Sequence, residues 1–281
     1  MLGAIIGDIA GSRFEFDNYR KKDFELFTDN CFVTDDSIIT LCLAKAVMET
    51  VKTRKVNIIN GVYDEHFYSL LEELSVKYMQ KIGRNYPSCG YGGRFFNWIF
   101  TNNPKPYNSY GNGAAMRVSP VAYIARNEDE VVKLSDTVTG ITHNHKEGLK
   151  GAQATALCIY MALIRKTKDQ MQKFISSNYY NLNFTIDEIR NTYSFNETCQ
   201  DTVPQAIKAF LESESFEDAI RVAVSVGGDS DTLAAITGSI AGAFYTVPAD
   251  IEKKALSYLD SEMFLIYKEW EEFRKQHIQE I

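Results

Sequence analysis

The sequence has few of the residues that characterise exported, disulfide-bonded or zinc-binding proteins. Its five cysteines are an odd number and include no Cys-x-x-Cys pair, which argues against a disulfide framework and against a zinc site. The apolar stretch Met1–Ala10 is too short to span a bilayer, contains Asp8 and lacks the basic start of a signal peptide. We therefore expect a soluble, cytoplasmic protein whose thiols are reduced and mostly fill the core.

An excess of positive charge is also missing. The chain has 30 Lys and Arg against 37 Asp and Glu, which gives a net charge of −7 over 281 residues. A protein that binds a nucleic-acid backbone normally presents a basic face, so this class of partner is not expected. An acidic chain that handled a phosphorylated ligand would need positive charge from another source.

Proline is scarce, with six residues, and strict alternation of apolar and polar residues, which indicates β-strands, is hard to find. Apolar residues recur instead at three- and four-residue spacing, and no low-complexity linker or fixed repeat interrupts them. The sequence therefore predicts an all-α protein, with residues 1–281 forming one compact domain of many short helices. The predicted helices are one that follows Thr34 and the segments Asp64–Ile82, Gly113–Ala125, Glu128–Thr139, Lys146–Arg165, Asp169–Ser177, Pro204–Ser213, Phe216–Val226, Ser230–Tyr245, Ala249–Leu259 and Glu262–Gln276.

Two acidic segments stand at predicted helix starts near opposite ends of the chain. Thr34–Asp36 precedes one helix, and Asp229–Thr232 follows two glycines before another. Each segment alone is explained by helix capping, because such side chains satisfy free backbone N–H groups and favour the positive end of the helix dipole. Together they offer sets of oxygen ligands that suit Mg²⁺ or Mn²⁺ rather than zinc. The two segments could hold a pair of ions about 3.5–4 Å apart, as in two-metal sites.

Two other segments offer contacts for a phosphorylated ligand. Gly111 and Gly113 leave backbone N–H groups exposed at a predicted helix start, where Ser109 adds a hydroxyl and Tyr110 a stacking face. An ordinary turn with asparagine is the alternative explanation. Next to a later helix start, one of the two histidines His143 and His145 could stack on a base or ribose, and an N-capping turn is again the alternative.

The N-terminal segment combines regularly spaced glycines with an acid in apolar surroundings. Gly3, Gly7 and Gly11 recur every fourth residue, so we expect a short helix that packs closely on a neighbour. Glu15 lies between Phe14 and Phe16. A carboxylate flanked by apolar groups can have a shifted pKa and act as a base, although an edge Glu with a solvated head is the simpler interpretation.

Taken in order, these five segments resemble the ADP-ribosylglycohydrolase family, which includes the dinitrogenase-reductase-activating glycohydrolase. The resemblance extends from Met1 to about Tyr245, and Gly227–Thr232 with the small-residue helix after it is its most specific part. It implies an all-α fold with a cleft that binds two Mg²⁺ or Mn²⁺ ions. The metal ligands that it implies are Thr34, Asp35, Asp36, Asp229, Asp231 and Thr232.

The resemblance also implies roles for residues around the metals. Glu15 corresponds to the mobile family glutamate near the scissile ribose, and His143 to the histidine on the adenosine side. A carboxylate of Glu15, Asp36 or Asp229 would orient the water or protonate the leaving group. The stretch that embraces the diphosphate and the distal ribose corresponds to Ser109, Tyr110, Gly111 and Asn112, with Gly113 beside them.

The implied function is Mg²⁺-dependent removal of ADP-ribose from a modified protein side chain or a related conjugate. Arginine-linked substrates are favoured over serine-linked ones, and the loops Asp17–Asn30 and Tyr86–Asn103 are the candidates for setting this preference. A non-catalytic ADP-ribose-binding or crystallin-like member is the alternative, but such a protein would be expected to lose some metal ligands. The apolar face near the C-terminus is expected to pack on its own domain, so we expect a monomer.

Overall fold

The computed structural model describes residues 1–277, in which all regular secondary structure is helical, so the predicted all-α class is confirmed. A short 3-10 turn at Ser12–Phe14 follows the first helix. The helices are α1 Leu2–Gly11, α2 Asp35–Arg54, α3 Glu65–Gly83, α4 Gly93–Phe100, α5 Gly113–Met116, α6 Ser119–Ala122, α7 Glu128–Gly140, α8 Lys146–Leu163, α9 Lys168–Asn178, α10 Ile186–Arg190, α11 Cys199–Glu212, α12 Phe216–Val224, α13 Ser230–Phe244, α14 Ala249–Leu256 and α15 Ser261–His277.

Helix α13 lies at the centre of the fold and is buried from Ser230 to Ala241. Helices α8, α11 and α12 pack around it, and α1 packs along it at backbone distance. A Cβ atom built on Gly7 would lie 2.0 Å from the carbonyl oxygen of Ala234, and one on Gly3 would lie 1.9 Å from that of Gly238. The close packing expected from the glycine spacing in α1 is therefore confirmed.

Four local assignments differ from the sequence prediction. The predicted helix Gly113–Ala125 is two short helices, α5 and α6, because Pro120 lacks an N–H and its ring would clash with the Met116 carbonyl in a continuous helix. That carbonyl instead accepts a hydrogen bond from the Thr40 hydroxyl at 3.4 Å. Helix α11 begins at Cys199 and contains Pro204, where the sequence predicts its start. Helices α4 and α10 have only eight and five residues and are not among the predicted helices.

The cysteines are reduced and mostly fill the core, as the sequence predicts. All five cysteines are free thiols, and four of them are buried. Among residues 1–277, no helix combines the length and the apolar character that crossing a bilayer requires.

The contact between α1 and α13 predicts a large cost for adding a single methyl group. We expect Gly7→Ala to lower the free energy of unfolding by about 2 kcal/mol, because the new Cβ meets backbone atoms that cannot move independently. This loss should outweigh the gain in helix propensity of about 1 kcal/mol. Urea denaturation followed by circular dichroism measures the change.

Gly140→Ala at the end of α7 is the matched control, because no atom lies within 4 Å of its added Cβ. Its unfolding free energy should stay within about 0.5 kcal/mol of the wild-type value. Equal stability of the two variants would contradict the packing described for α1.

Candidate active site

The N-termini of α2 and α13 meet at a cleft of about 270 Å³. The Thr232 hydroxyl at the start of α13 donates a hydrogen bond of 3.2 Å to Oδ2 of Asp36 at the start of α2. The two acidic segments, which are almost 200 residues apart in the sequence, are therefore in direct contact. The cleft is lined by Glu15, Asp35, Asp36, Gly90, Gly92, Gly93, Arg94, Phe95, Tyr107, Ser109, Gly111, Asn112, Gly113, Met116, Arg117, His143, Glu197, Asp229, Asp231 and Thr232.

A first carboxylate cluster consists of Asp8, Asp36 and Asp231, which each place one oxygen within 4.8 Å of the others. Asp8 lies on α1 and is fully buried. Its carboxylate accepts hydrogen bonds from the backbone N–H of Thr34 at 3.1 Å and from the Thr34 hydroxyl at 2.7 Å. It also accepts from the backbone N–H of Ser37 at 3.2 Å and from the Ser37 hydroxyl. Asp8 therefore fixes the first turn of α2 and the orientation of Thr34.

Asp36 is the least satisfied member of this cluster. It is 2% exposed, and its Oδ1 atom is buried without a hydrogen-bond partner. Burial, together with the nearby charges of Asp8 and Asp35, raises the pKa of Asp36 well above its usual value. A buried, unpartnered carboxylate oxygen among other carboxylates fits a ligand for a divalent cation, which would balance both the repulsion and the desolvation.

A second cluster consists of Glu15, Asp229 and Asp231, again with one oxygen of each within 4.8 Å of the others. Asp229 occupies the N-cap position of α13 but makes no side-chain capping hydrogen bond. Its Oδ2 accepts instead from the Asn112 side-chain amide at 2.6 Å. Gly228, with φ of +71°, turns the chain so that this carboxylate faces the cleft. Helix capping alone therefore does not account for Asp229.

Burial and the neighbouring acids Asp229, Glu197 and Asp8 raise the pKa of Glu15 to about 7. Burial and the charges of Asp8 and Asp229 likewise raise the pKa of Asp35 to about 8. Neither carboxylate forms an ion pair within the part of the chain that the structure describes. Oxygen atoms from Asp and Thr side chains are hard ligands, so the set suits Mg²⁺, Mn²⁺ or Ca²⁺ in preference to a thiophilic metal.

The other part of the cleft contains positive charge and aromatic rings. Arg117 is 1% exposed, donates to the Thr142 hydroxyl at 2.5 Å and lies 5.3 Å from the centre of the Phe95 ring. Burial lowers its pKa to about 10, so it remains a cation at neutral pH. Burial and Arg117 lower the pKa of His143 well below its usual value, which keeps this imidazole neutral. Arg94 lies 4.8 Å from the centre of the Tyr107 ring.

The structure brings most of the predicted site residues to this one cleft. Two do not line it. The Thr34 hydroxyl lies next to the first carboxylate cluster and donates to Asp8. Tyr110 is 44% exposed, and its ring centre lies 5.1 Å from that of His145. The predicted residues that line the cleft are Glu15, Asp35, Asp36, Ser109, Gly111, Asn112, Gly113, His143, Asp229, Asp231 and Thr232.

Four charged residues that lie in or beside the cleft had no individual site role in the sequence prediction. Asp8 is the single charged residue of α1, and an acid in an otherwise apolar, glycine-spaced helix is a signal that could have identified it. Arg117 is the last residue of the segment that contains Gly111 and Gly113, directly after the apolar Met116. This position is the signal in the sequence that could have identified it. Arg94 and Glu197 are exposed and belong to no motif.

Comparisons with known proteins agree with the fold. The ADP-ribosylarginine hydrolase Tri1 of Pseudomonas putida (strain GB-1) is 27% identical over 284 residues, which cover 92% of this chain and 73% of that protein. The ADP-ribosylhydrolase ARH3 of Xenopus tropicalis is 23% identical and covers 93% of this chain and 91% of its own length. A solved structure of an ADP-ribosylglycohydrolase-related protein complex superposes with a TM-score of 0.65 at 22% identity, covering 94% of each chain, which shows a common fold.

A family model also matches almost the whole chain. The model for ADP-ribosylglycohydrolase matches residues 1–276, which include α1, both acidic helix starts and every residue that lines the cleft. This chain therefore belongs to the ADP-ribosylglycohydrolase family.

Proposed function

We propose that this chain is a Mg²⁺-dependent hydrolase that releases ADP-ribose from ADP-ribosylated proteins or related conjugates, with arginine-linked substrates favoured over serine-linked ones. The observation that carries the proposal is the buried, unpartnered Oδ1 of Asp36, where two carboxylate clusters share one cleft with Arg117. The family match and the two hydrolase relatives support hydrolysis of an ADP-ribose conjugate. The relative named as an ADP-ribosylarginine hydrolase supports the arginine preference.

The metal part of the proposal uses the oxygen ligands at the two helix starts. Two Mg²⁺ ions, or Mn²⁺ in their place, would hold the hydroxyls of the scissile ribose and lower the pKa of a water molecule. Asp8 would keep Thr34 in position through its hydrogen bonds without itself facing the cleft. The residues that would hold the ions are Thr34, Asp35, Asp36, Asp229, Asp231 and Thr232.

The protein side chains supply the proton transfers. A Glu15 carboxyl group whose pKa is about 7 can hold a proton at neutral pH and give it to the leaving atom. Its deprotonated form can orient the attacking water. Asp229, fixed by the Asn112 amide, and Asp36 are the other carboxylates that can align this water. A pair of carboxylic groups in these two roles is the usual arrangement for cleavage at an anomeric carbon.

The adenosine and the phosphates of the substrate would bind in the part of the cleft that contains Arg94 and Arg117. Ser109, Gly111, Asn112 and Gly113 would contact the diphosphate and distal ribose, and neutral His143 would contact the adenosine. Tyr110 would have to rotate inward to contact the substrate, because its ring now lies beside His145.

We further propose that residues 1–281 act as one domain, as a monomer and in the cytoplasm, without binding a membrane or a nucleic-acid backbone.

The raised carboxylate pKa values predict how pH and cations affect stability. The pKa of Asp8 is raised to about 6 and that of Asp35 to about 8 in the folded protein, from 3.8 for an unperturbed Asp. The metal-free folded state therefore binds more protons than the unfolded state, and its free energy of unfolding should fall as pH rises from about 4 to about 8. Mg²⁺ replaces these protons, so its effect on Tm should be larger at pH 8 than at pH 5.5.

Differential scanning fluorimetry with Mg²⁺, Mn²⁺ or EDTA at both pH values tests this prediction. A cation at one hundred times its Kd adds about 2.7 kcal/mol, which corresponds to a Tm increase of about 5 °C or more for a chain of this size. K⁺ at equal ionic strength is the control. A Mg²⁺ effect no larger than that of K⁺, or one that is larger at pH 5.5, would contradict the proposed centre.

Asp231 belongs to both carboxylate clusters, so removing its charge should affect the whole centre. We expect Asp231→Asn to lower the rate of ADP-ribose release by at least about a hundredfold and to reduce the Tm increase caused by Mg²⁺. Asp129→Asn, at an exposed carboxylate of α7 that does not line the cleft, should leave both unchanged. Full activity of Asp231→Asn with an arginine-linked or serine-linked peptide would exclude this centre as the site of hydrolysis.

Glu15 should affect turnover more than binding. We expect Glu15→Gln to lower kcat by about a hundredfold, because the amide cannot transfer a proton. Its affinity for ADP-ribose should stay within about threefold of wild type, as measured by isothermal titration calorimetry. An unchanged kcat would assign the proton transfer to Asp36 or Asp229 instead.

A further inference from the structure

Two stacked phenylalanines stand exposed beside the acidic part of the cleft. Phe16 is 78% exposed and Phe195 is 37% exposed, and their ring centres lie 5.7 Å apart with 26° between the ring planes. Each ring is close in sequence to a carboxylate that lines the cleft, Phe16 to Glu15 and Phe195 to Glu197. We call Phe16, Phe195 and Glu197 the acceptor rim.

The acceptor rim is anchored to the loop that carries Asp229. The side chain of Asn18, in the turn after Phe16, accepts a hydrogen bond of 3.0 Å from the backbone N–H of Gly228. From the other side, a Cβ on Gly228 would lie 3.3 Å from the Cα of Phe195. The two segments that carry the aromatic rings therefore meet at the residue directly before Asp229, where the second carboxylate cluster begins.

A third anchor fixes the segment before Phe195. The guanidinium of Arg20 donates hydrogen bonds to the backbone carbonyls of Arg190, Tyr193 and Val226, the last at 3.2 Å. This cation is occupied by the backbone and does not line the cleft. The exposed aromatic pair is thus held in place by polar contacts rather than by burial of its rings.

The charged groups at the acceptor rim and next to it are carboxylates that form no ion pair with the described part of the chain. Within residues 1–277, the carboxylates of Glu15 and Glu197 have no ion-pair or hydrogen-bond partner. The cations that line the described cleft are Arg94 and Arg117, and both lie with the aromatic residues of the other part, Tyr107 and Phe95. The acidic part therefore suits a positively charged group from the ligand.

We propose that the acceptor rim binds the guanidinium of an ADP-ribosylated arginine, and that Phe16, Phe195 and Glu197 determine the preference for this substrate class. A planar guanidinium can lie against an aromatic face while its N–H groups donate to a carboxylate. A serine acceptor offers neither a charge nor a planar face. This proposal rests on the hydrolase function proposed above and names the residues that would set its substrate preference.

The test compares arginine-linked and serine-linked ADP-ribosyl peptides of the same sequence as substrates. The variants are Phe16→Leu and Phe195→Leu, which leave every carboxylate of the cleft in place. Glu197→Gln is kept for the inhibition measurement below, because the charge of Glu197 also acts on Glu15. We expect each to lower kcat/KM for the arginine-linked peptide about three- to tenfold, chiefly through KM, and to change that for the serine-linked peptide less than twofold. Phe264→Leu, at a 41% exposed phenylalanine of α15, is the matched control and should change neither value.

A second readout is independent of turnover. With ADP-ribose present, a peptide that contains arginine should inhibit the wild-type enzyme more strongly than the same peptide with citrulline, which has the same shape without the charge. The difference should shrink in Glu197→Gln and in Phe16→Leu.

The outcomes separate this proposal from the function on which it rests. If the wild type cleaves the serine-linked peptide alone, or if the rim variants affect both peptides equally, the acceptor rim is not a guanidinium site although the hydrolase function stands. Equal inhibition by the arginine and citrulline peptides would overturn it as well. If the wild type cleaves neither peptide with Mg²⁺ or Mn²⁺, the proposed function itself is wrong and the rim assignment falls with it.

Discussion

The rest of the structure depends on the enforced proximity of buried carboxylates that repel one another. Asp8, Asp36, Asp229 and Asp231 are each at most 6% exposed, and the pKa of each is raised by burial. Burying several carboxylates together costs free energy, which packing elsewhere in the fold or a bound cation must offset. The backbone contact between α1 and α13 supplies that packing, because it brings Asp8 on one helix within reach of Asp231 on the other.

An acidic chain that binds a phosphorylated ligand needs a source of positive charge, and the distribution of charge in the cleft provides one. Arg117, although fully buried, keeps its charge, and Arg94 lies at the same part of the cleft. The chain therefore has its own cations for an anionic ligand in one part of the cleft, while its acids are concentrated in another. The net charge of −7 is a sum over the whole chain. It does not describe the local charge in either part of the cleft.

The sequence predicted the helical class, the glycine contact of α1 and both acidic helix starts, because each depends on local spacing. It failed where tertiary context decides the outcome. Pro120 divides a helix that hydrophobic spacing alone would continue. Glu197 reaches the cleft through an irregular segment, whose path no periodicity encodes. Arg94 reaches it from the first turn of α4, an eight-residue helix that was not predicted. Asp8 carried a signal, but its partners Thr34 and Ser37 become evident only when α1 and α2 are packed together.

The carboxylate centre and the acceptor rim differ in how the chain holds them. The centre is built on helix termini fixed by backbone contact at Gly7 and Gly3, where even one added carbon has no room. The rim residues Phe16 and Phe195 lie on irregular turns whose rings are open to solvent. Substitution of these two rings therefore leaves the packing of α1 on α13 in place, so the surface at the edge of the cleft can change its shape without a change in the helices beneath it.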